Sequence, residues 1–292
     1  MNDQAQGLRE LVQTRVAGVR ETRVITVTSG KGGVGKSNFT LNFALGLQKR
    51  GYQVLVFDAD IGLANIDVLM GASPQYNLYH LLKREKSLQD IIYKGHHGLQ
   101  FIAGGSGFND LIRLSEEEIQ YFSKEVEQLN GQVDYILFDT GAGLSKETLT
   151  FILAAQETIV VTTPEPTSIT DAYAIIKMVT NMNHRIDFKL VVNRSGDERE
   201  GRQAADKITL VAQKFLNLPI STLGYVTDDA LVSKSVKRQI PFTIAYPNSS
   251  ASRSIDALVS RYLQEELRSR KSAAASHGVK GFLNRMYRMI KS

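Results

Sequence analysis

The chain has 292 residues, 42% of them apolar, which suits one large domain with short extensions or at most two domains. It has no cysteine, no apolar leader in MNDQAQGLRE and no run of 18 uncharged apolar residues, so disulfides, thiolate metal clusters, secretion and a transmembrane span are not expected, and a cytoplasmic protein is. Of the net +5, residues 261–292 carry +6 (eight Lys/Arg, two Glu), which leaves −1 for the rest and argues against a broad nucleic-acid face and for an acidic partner met by the tail.

In chain order, residues 1–22 read as a helical extension with Leu8, Leu11, Val12, Val16 and Val19 on one face. The body, 23–271, opens with an expected strand at 24–28. Ser29 follows, then Gly30, Lys31, Gly32, Gly33, Val34, Gly35, Lys36 and Ser37, and Asn38 opens a helical pattern over 38–50. This is GxxxxGK[ST] between a strand and a helix, a loop whose amides and helix N-terminus cradle phosphates. Lys36 is expected to reach the β- and γ-phosphates of a bound nucleotide, and the Ser37 hydroxyl to ligand Mg²⁺. The plain alternative is a glycine-rich turn that binds nothing.

A strand at 53–57 ends in Asp58-Ala59-Asp60. Carboxylates beyond a buried strand are costly unless paired or beside a cation; the alternative is helix capping by Asp60 or Asn65. After a strand at 99–102 and a helix at 115–129, the strand at 135–138 ends in Asp139-Thr140-Gly141-Ala142-Gly143. Four apolar residues and then Asp is the Walker B form, which puts Asp139 near Mg²⁺. A strand at 158–162, a helix at 169–183, a strand at 188–192 ending in Asn193-Arg194, a helix at 199–216 and a strand at 223–226 complete the body. The expected fold is α/β, a mainly parallel sheet with helices on both faces and ligands beyond the strands' carboxyl ends.

Residues 272–278, SAAASHG, read as a linker. On a helix over 279–292, Val279, Phe282, Leu283, Met286, Tyr287, Met289 and Ile290 share an arc of about 160°. Lys280, Arg285, Arg288 and Lys291 lie on the rest, with no acid. That composition fits a helix lying on anionic lipid at the inner face of the membrane; a helix docked on its own domain, or one that alternates between the two, is the competing reading.

The loop KGGVGKS resembles the deviant Walker A motif of the MinD/ParA family of dimerising ATPases, and the resemblance runs over about 24–265. It implies an ATP-bound homodimer in which Lys31 reaches the partner's nucleotide. By the same resemblance Asp58 lies near Mg²⁺ through water, Asp60 positions the attacking water, and Asn193, with Arg194 beside it, reads adenine; ADP and phosphate are the products. GLANID after Asp60, DTGAG at the Walker B strand, TTPEPTSITDAYAIIK and the N-terminal Asp3-Gln4-Ala5 with Leu8-Arg9 resemble the FlhG (FleN/YlxH) branch, which regulates flagellar number and placement. That branch implies an FlhF-type GTPase as partner, with Gln4 helping to orient its attacking water, and flagellar switch proteins of the FliM/FliN type. A division-site regulator and an ATP-binding scaffold without significant hydrolysis are the rival readings.

Overall fold

The computed structural model describes residues 21–60, 65–104, 116–182, 186–270 and 278–291. Gln4 with the rest of 1–20, the switch residues 61–64 and most of the expected linker lie outside the described residues, as does the side chain of Lys291. In chain order the elements are β1 (Arg23–Ser29), α1 (Lys36–Lys49), β2 (Val54–Ala59), α2 (Ile66–Met70), α3 (Leu78–Leu82), β3 (Ile92–Lys94), β4 (Gln100–Ile102), α4 (Glu116–Glu127), β5 (Tyr135–Ala142) and α5 (Lys146–Ala154). There follow β6 (Glu157–Thr162), α6 (Pro166–Asn181), β7 (Asp187–Ser195), α7 (Glu198–Leu216), β8 (Ser221–Thr227), α8 (Ala230–Lys237), α9 (Phe242–Ala245), α10 (Ser250–Arg270) and α11 (Val279–Lys291).

The eight strands form one sheet in the order β3-β4-β2-β5-β1-β6-β7-β8. All neighbours are parallel except β3, a three-residue edge strand antiparallel to β4. The expected parallel α/β sheet is thus present, with β3 as the strand that sequence patterning misses. Central strands such as β1, RVITVTS, are β-branched and buried on both faces, as a sheet covered by helices requires. On one face Ile25 and Val27 pack with Phe39, Phe43 and Leu47 of α1 and with Ile255, Val259 and Tyr262 of α10. On the other, Val24, Phe57 and Phe138 meet α3, α4, α5 and α11, while Val160 and Val192 meet α6 and α7.

Local chemistry sets the helix ends. Ser145 caps α5 by accepting from Thr148 N at 3.1 Å, Pro166 opens α6, and Asp197 caps α7 through Glu200 N at 2.7 Å. Among the described residues no helix is long and apolar enough to cross a membrane.

The C-terminal helix differs from the expected lipid-facing one. Its apolar arc turns inward: Val279, Phe282, Leu283 and Met286 are buried, and Tyr287 and Ile290 are half-buried. Phe282 stacks on Phe138 with centroids 4.9 Å apart. Arg285, expected among the lipid-facing cations, donates from Nε to the Ala154 carbonyl at the end of α5 at 2.7 Å. Lys280 lies 3.8 Å from Glu127, and Arg288 is exposed. The same periodicity serves a bilayer or a protein groove, and here α4, α5 and the sheet supply the groove.

Candidate active site

The side chains expected to form the site gather at the carboxyl ends of β1, β2, β5 and β7. Strand β1 delivers the chain into the loop 30–35, and Gly35 enters α1 in the left-handed region at φ 86°. A side chain there would be strained, and its Cβ would lie 2.4 Å from the Asn193 amide nitrogen, so glycine is needed twice over. The Asn193 amide donates to the Val34 carbonyl at 2.7 Å, which braces the loop from β7.

Lys36, at the first position of α1, folds inward. Its ammonium is 2.9 Å from Asp139 Oδ1 and 3.4 Å from the Ser37 hydroxyl. Thr40, one turn along α1, donates to the same carboxylate oxygen at 2.8 Å. Asp139 is fully buried at its place on β5. Among the described residues its other oxygen, Oδ2, has no hydrogen-bond partner.

Asp58 faces Asp139 in register across β2 and β5. Its carboxylate accepts from the amides of Asp60 at 3.2 Å, Asn65 at 2.8 Å and Ile66 at 3.0 Å. Asp58 therefore ties the end of β2 to the start of α2, a capping role that the sequence reading weighed for Asp60 or Asn65. Burial first, and then the charge of Asp139, push the Asp58 carboxyl up to about 7, against the pull of those amides. Asp60 is less buried and reaches toward the β5 loop: a Cβ on Gly141 would lie 3.3 Å from its Oδ1. Burial raises its pKa, Lys36 opposes that shift, and Asp139 adds to it. Three carboxylates and one ammonium thus converge beside the phosphate loop.

These groups fit Mg²⁺. Hard oxygen donors, an Asp139 oxygen left without a partner and a hydroxyl at Ser37 match what the ion takes. Among the described residues no three acidic or histidine side chains form a metal cage.

Beside the loop lies a cavity of about 430 Å³ lined by Gly33, Gly35, Asn38, Phe39, Asn193 and Arg194 on one side. Thr227, Asp228, Asp229, Val232, Phe242 and Ile255 form the other wall. Sequence reading missed that wall. Its signal was the Thr227-Asp228-Asp229 run at the carboxyl end of β8, the same rule that picked out Asp58 and Asp139. Arg194 sits at φ 56° with its Nε 3.6 Å from Asp228. A larger cavity of about 980 Å³ lies between α1, α9 and α10 and contains none of the expected site residues.

Lys31 stands apart from this cluster. It points outward along the rim, 3.2 Å from the Glu165 carboxylate and 3.2 Å from the Thr167 hydroxyl. Both partners were missed, because Glu-Pro-Thr before a helix carries the ordinary pattern of a helix start.

Residues 20–263 match a family model described as ParA: NUBPL iron-transfer P-loop NTPase. The antiactivator FleN of Pseudomonas aeruginosa is 34% identical over 247 residues, 85% of this chain and 88% of that protein. The flagellum site-determining protein YlxH of Helicobacter pylori is 36% identical over 99% of this chain and all of that one. Among solved structures, MinD in the MinC:MinD complex of Aquifex aeolicus superposes with a TM-score of 0.68 at 28% identity, covering 83% of this chain and 96% of that one. MinD of Pyrococcus horikoshii complexed with Mg-ADP has a TM-score of 0.67 at 24% identity, covering 87% and 100%, and shares the fold. The phosphate loop at the end of β1, the acids at the ends of β2 and β5 and these similarities agree: the chain belongs to the MinD/ParA family of P-loop ATPases, together with FleN and YlxH.

Proposed function

We propose that the chain is an ATP-gated switch that pairs face to face, exchanges between the cytoplasm and the inner face of the membrane, and sets flagellar number and placement. The observation that carries the switch is the convergence of Lys36, Asp60 and Asp139 on the phosphate loop, with Lys31 turned outward at its rim. The loop amides and Lys36 hold the phosphates. Mg²⁺ would be held by Ser37 and, through water, by Asp139 and Asp58, and would neutralise charge on the phosphate oxygens. Asp60 orients the attacking water. Lys31 of the second protomer supplies positive charge where negative charge builds up in the transition state. Asn193, its amide nitrogen already given to Val34, keeps its oxygen for the amino group of adenine, and Arg194 closes the cavity toward Asp228.

The C-terminal helix is the membrane element. Burying each of its large apolar side chains is worth about 1.5–3 kcal/mol, in the protein groove or in a bilayer alike. Each basic residue at an anionic surface adds about 1 kcal/mol. Lys280, Arg285, Arg288 and Lys291 offset the contacts given up on undocking, so one helix binds lipid only weakly and reversibly, and two helices in one dimer multiply the effect. Phe282, Leu283, Met286, Tyr287 and Ile290 form the inserting face once released.

The flagellar role rests on the similarity to FleN and YlxH over most of the chain. With it come an FlhF-type GTPase, met through Gln4, and switch proteins of the FliM/FliN type. A division-site regulator is the second reading, supported by the structural likeness to MinD. The test is Asp60→Ala with Mg-ATP. We expect a trapped dimer by light scattering that co-sediments with anionic vesicles, and a monomer left in the supernatant with ADP. A variant that stays monomeric in ATP removes the central element of the scheme.

A further inference from the structure

We infer that Glu165 and Thr167 are positioning residues that hold the Lys31 ammonium on its own protomer, and so set how strongly ATP must drive pairing. This inference rests on the reading that Lys31 serves the partner's nucleotide.

The geometry is specific. The Lys31 ammonium is 3.2 Å from Glu165 Oε2 and 3.2 Å from Thr167 Oγ1. Glu165 is the N-cap residue of α6, yet its side chain makes no capping bond; its carboxylate is spent on Lys31 instead. An ammonium at a helix N-terminus is repelled by the helix dipole, whereas a carboxylate there is favoured. Lys31 thus stays at this end of α6 only through Glu165 and Thr167, and Glu165 remains stable when Lys31 leaves.

The loop backbone is packed closely on α6, which leaves release to a side-chain rotation. A Cβ on Gly30 would lie 2.2 Å from the backbone carbon of Asp171, which locks the loop against α6. The Ser29 hydroxyl donates to the Lys31 carbonyl at 3.1 Å. The Lys31 and Glu165 side chains are 44% and 58% exposed, so the ion pair is weak, roughly a two- to fivefold bias per lysine. A symmetric dimer releases two lysines, which compounds to at most about twenty-fivefold. A hold of that size delays pairing without forbidding it.

The experiment measures the dimer dissociation constant of the full chain by sedimentation, with Mg²⁺ and a non-hydrolysable ATP analogue. Glu165→Gln is expected to pair several-fold more tightly, and Thr167→Val to shift in the same direction by less. The Glu165→Gln gain should shrink as salt rises and vanish in a Lys31→Ala background. If Lys31→Ala weakens the dimer while Glu165→Gln matches or falls below the unsubstituted protein, the holding role is overturned and the crossing role of Lys31 stands. If Lys31→Ala changes neither pairing nor ATP hydrolysis, both are overturned.

Discussion

Two lysines five residues apart on one loop meet opposite fates. The Lys36 side chain is 6% exposed and pairs with a fully buried aspartate; that of Lys31 is 44% exposed and pairs with a glutamate more exposed still. The inner pair sits where water is scarce, so removing either partner strands a charge at a cost of about 3–5 kcal/mol. The outer pair is screened and worth at most about 1 kcal/mol. On the proposed reading, in which the loop holds a ligand and also answers a second protomer, both kinds of contact are needed: one that keeps the site assembled, and one that opens easily.

The largest effect is expected at the inner pair. Lys36→Ala should lower ATP turnover by roughly 10²–10³ and the stability of the nucleotide-free protein by about 3 kcal/mol or more. Adding Asp139→Asn should restore much of the stability, read by denaturant unfolding, and none of the turnover. Recovery of turnover would mean that Lys36 serves only to neutralise Asp139.

Another buried carboxylate, at the opposite end of the sheet, tests whether interior charge behaves as the inner pair implies. Glu157 accepts from Arg23 at 3.1 Å and from Tyr262 at 3.3 Å. Burial pushes its carboxyl up to about 7 from an ordinary 4.5, against the opposing pull of Arg23 and Lys189. Between those values the folded chain keeps a proton that the unfolded chain has lost, so stability falls as pH rises through this window and levels off above it. Against Glu157→Gln, the unsubstituted protein should lose up to about 3 kcal/mol between pH 4.5 and 7. A pH-independent difference would show that Glu157 is ionised throughout.

The groove under α11 is an apolar counterpart of the outer pair, a contact proposed to open. Phe151 lines that groove and stacks near Phe282, with centroids 6.4 Å apart. Phe151→Ala leaves the apolar face of α11 intact while weakening its seat. Vesicle co-sedimentation in ADP should therefore rise several-fold toward the ATP level, within the about 3–5 kcal/mol that such a cavity costs. Unchanged binding would separate membrane attachment from undocking.

What the sequence made legible follows the same division between inside and outside. Acids beyond buried strands have few physical uses, so Asp58, Asp60 and Asp139 could be found from position alone, and the glycine-lysine loop between strand and helix left little choice of ligand. The particular work of Asp58, accepting from the amides of Asp60, Asn65 and Ile66, depended on the start of α2 lying against the end of β2, which no pattern records. Strand β3 has three residues and α2 five, too short for periodicity to register. The amphipathic arc of α11 was plain, but a bilayer and a protein groove ask for the same residues, and only the fold reveals that Phe138 waits at stacking distance. Glu165 escaped notice because a glutamate before a proline-led helix has an ordinary structural explanation.

The central claim, that each Lys31 completes the other protomer's site, has one direct measurement. Lys31→Ala and Asp60→Ala are each expected to be nearly inactive alone. In an equal mixture, the mixed dimer gives the Lys31→Ala protomer an intact Asp60 of its own and a Lys31 from its partner. With half the dimers mixed and one working site in each, phosphate release should return to about a quarter of that of the unsubstituted protein. A mixture no more active than its two components would contradict the claim.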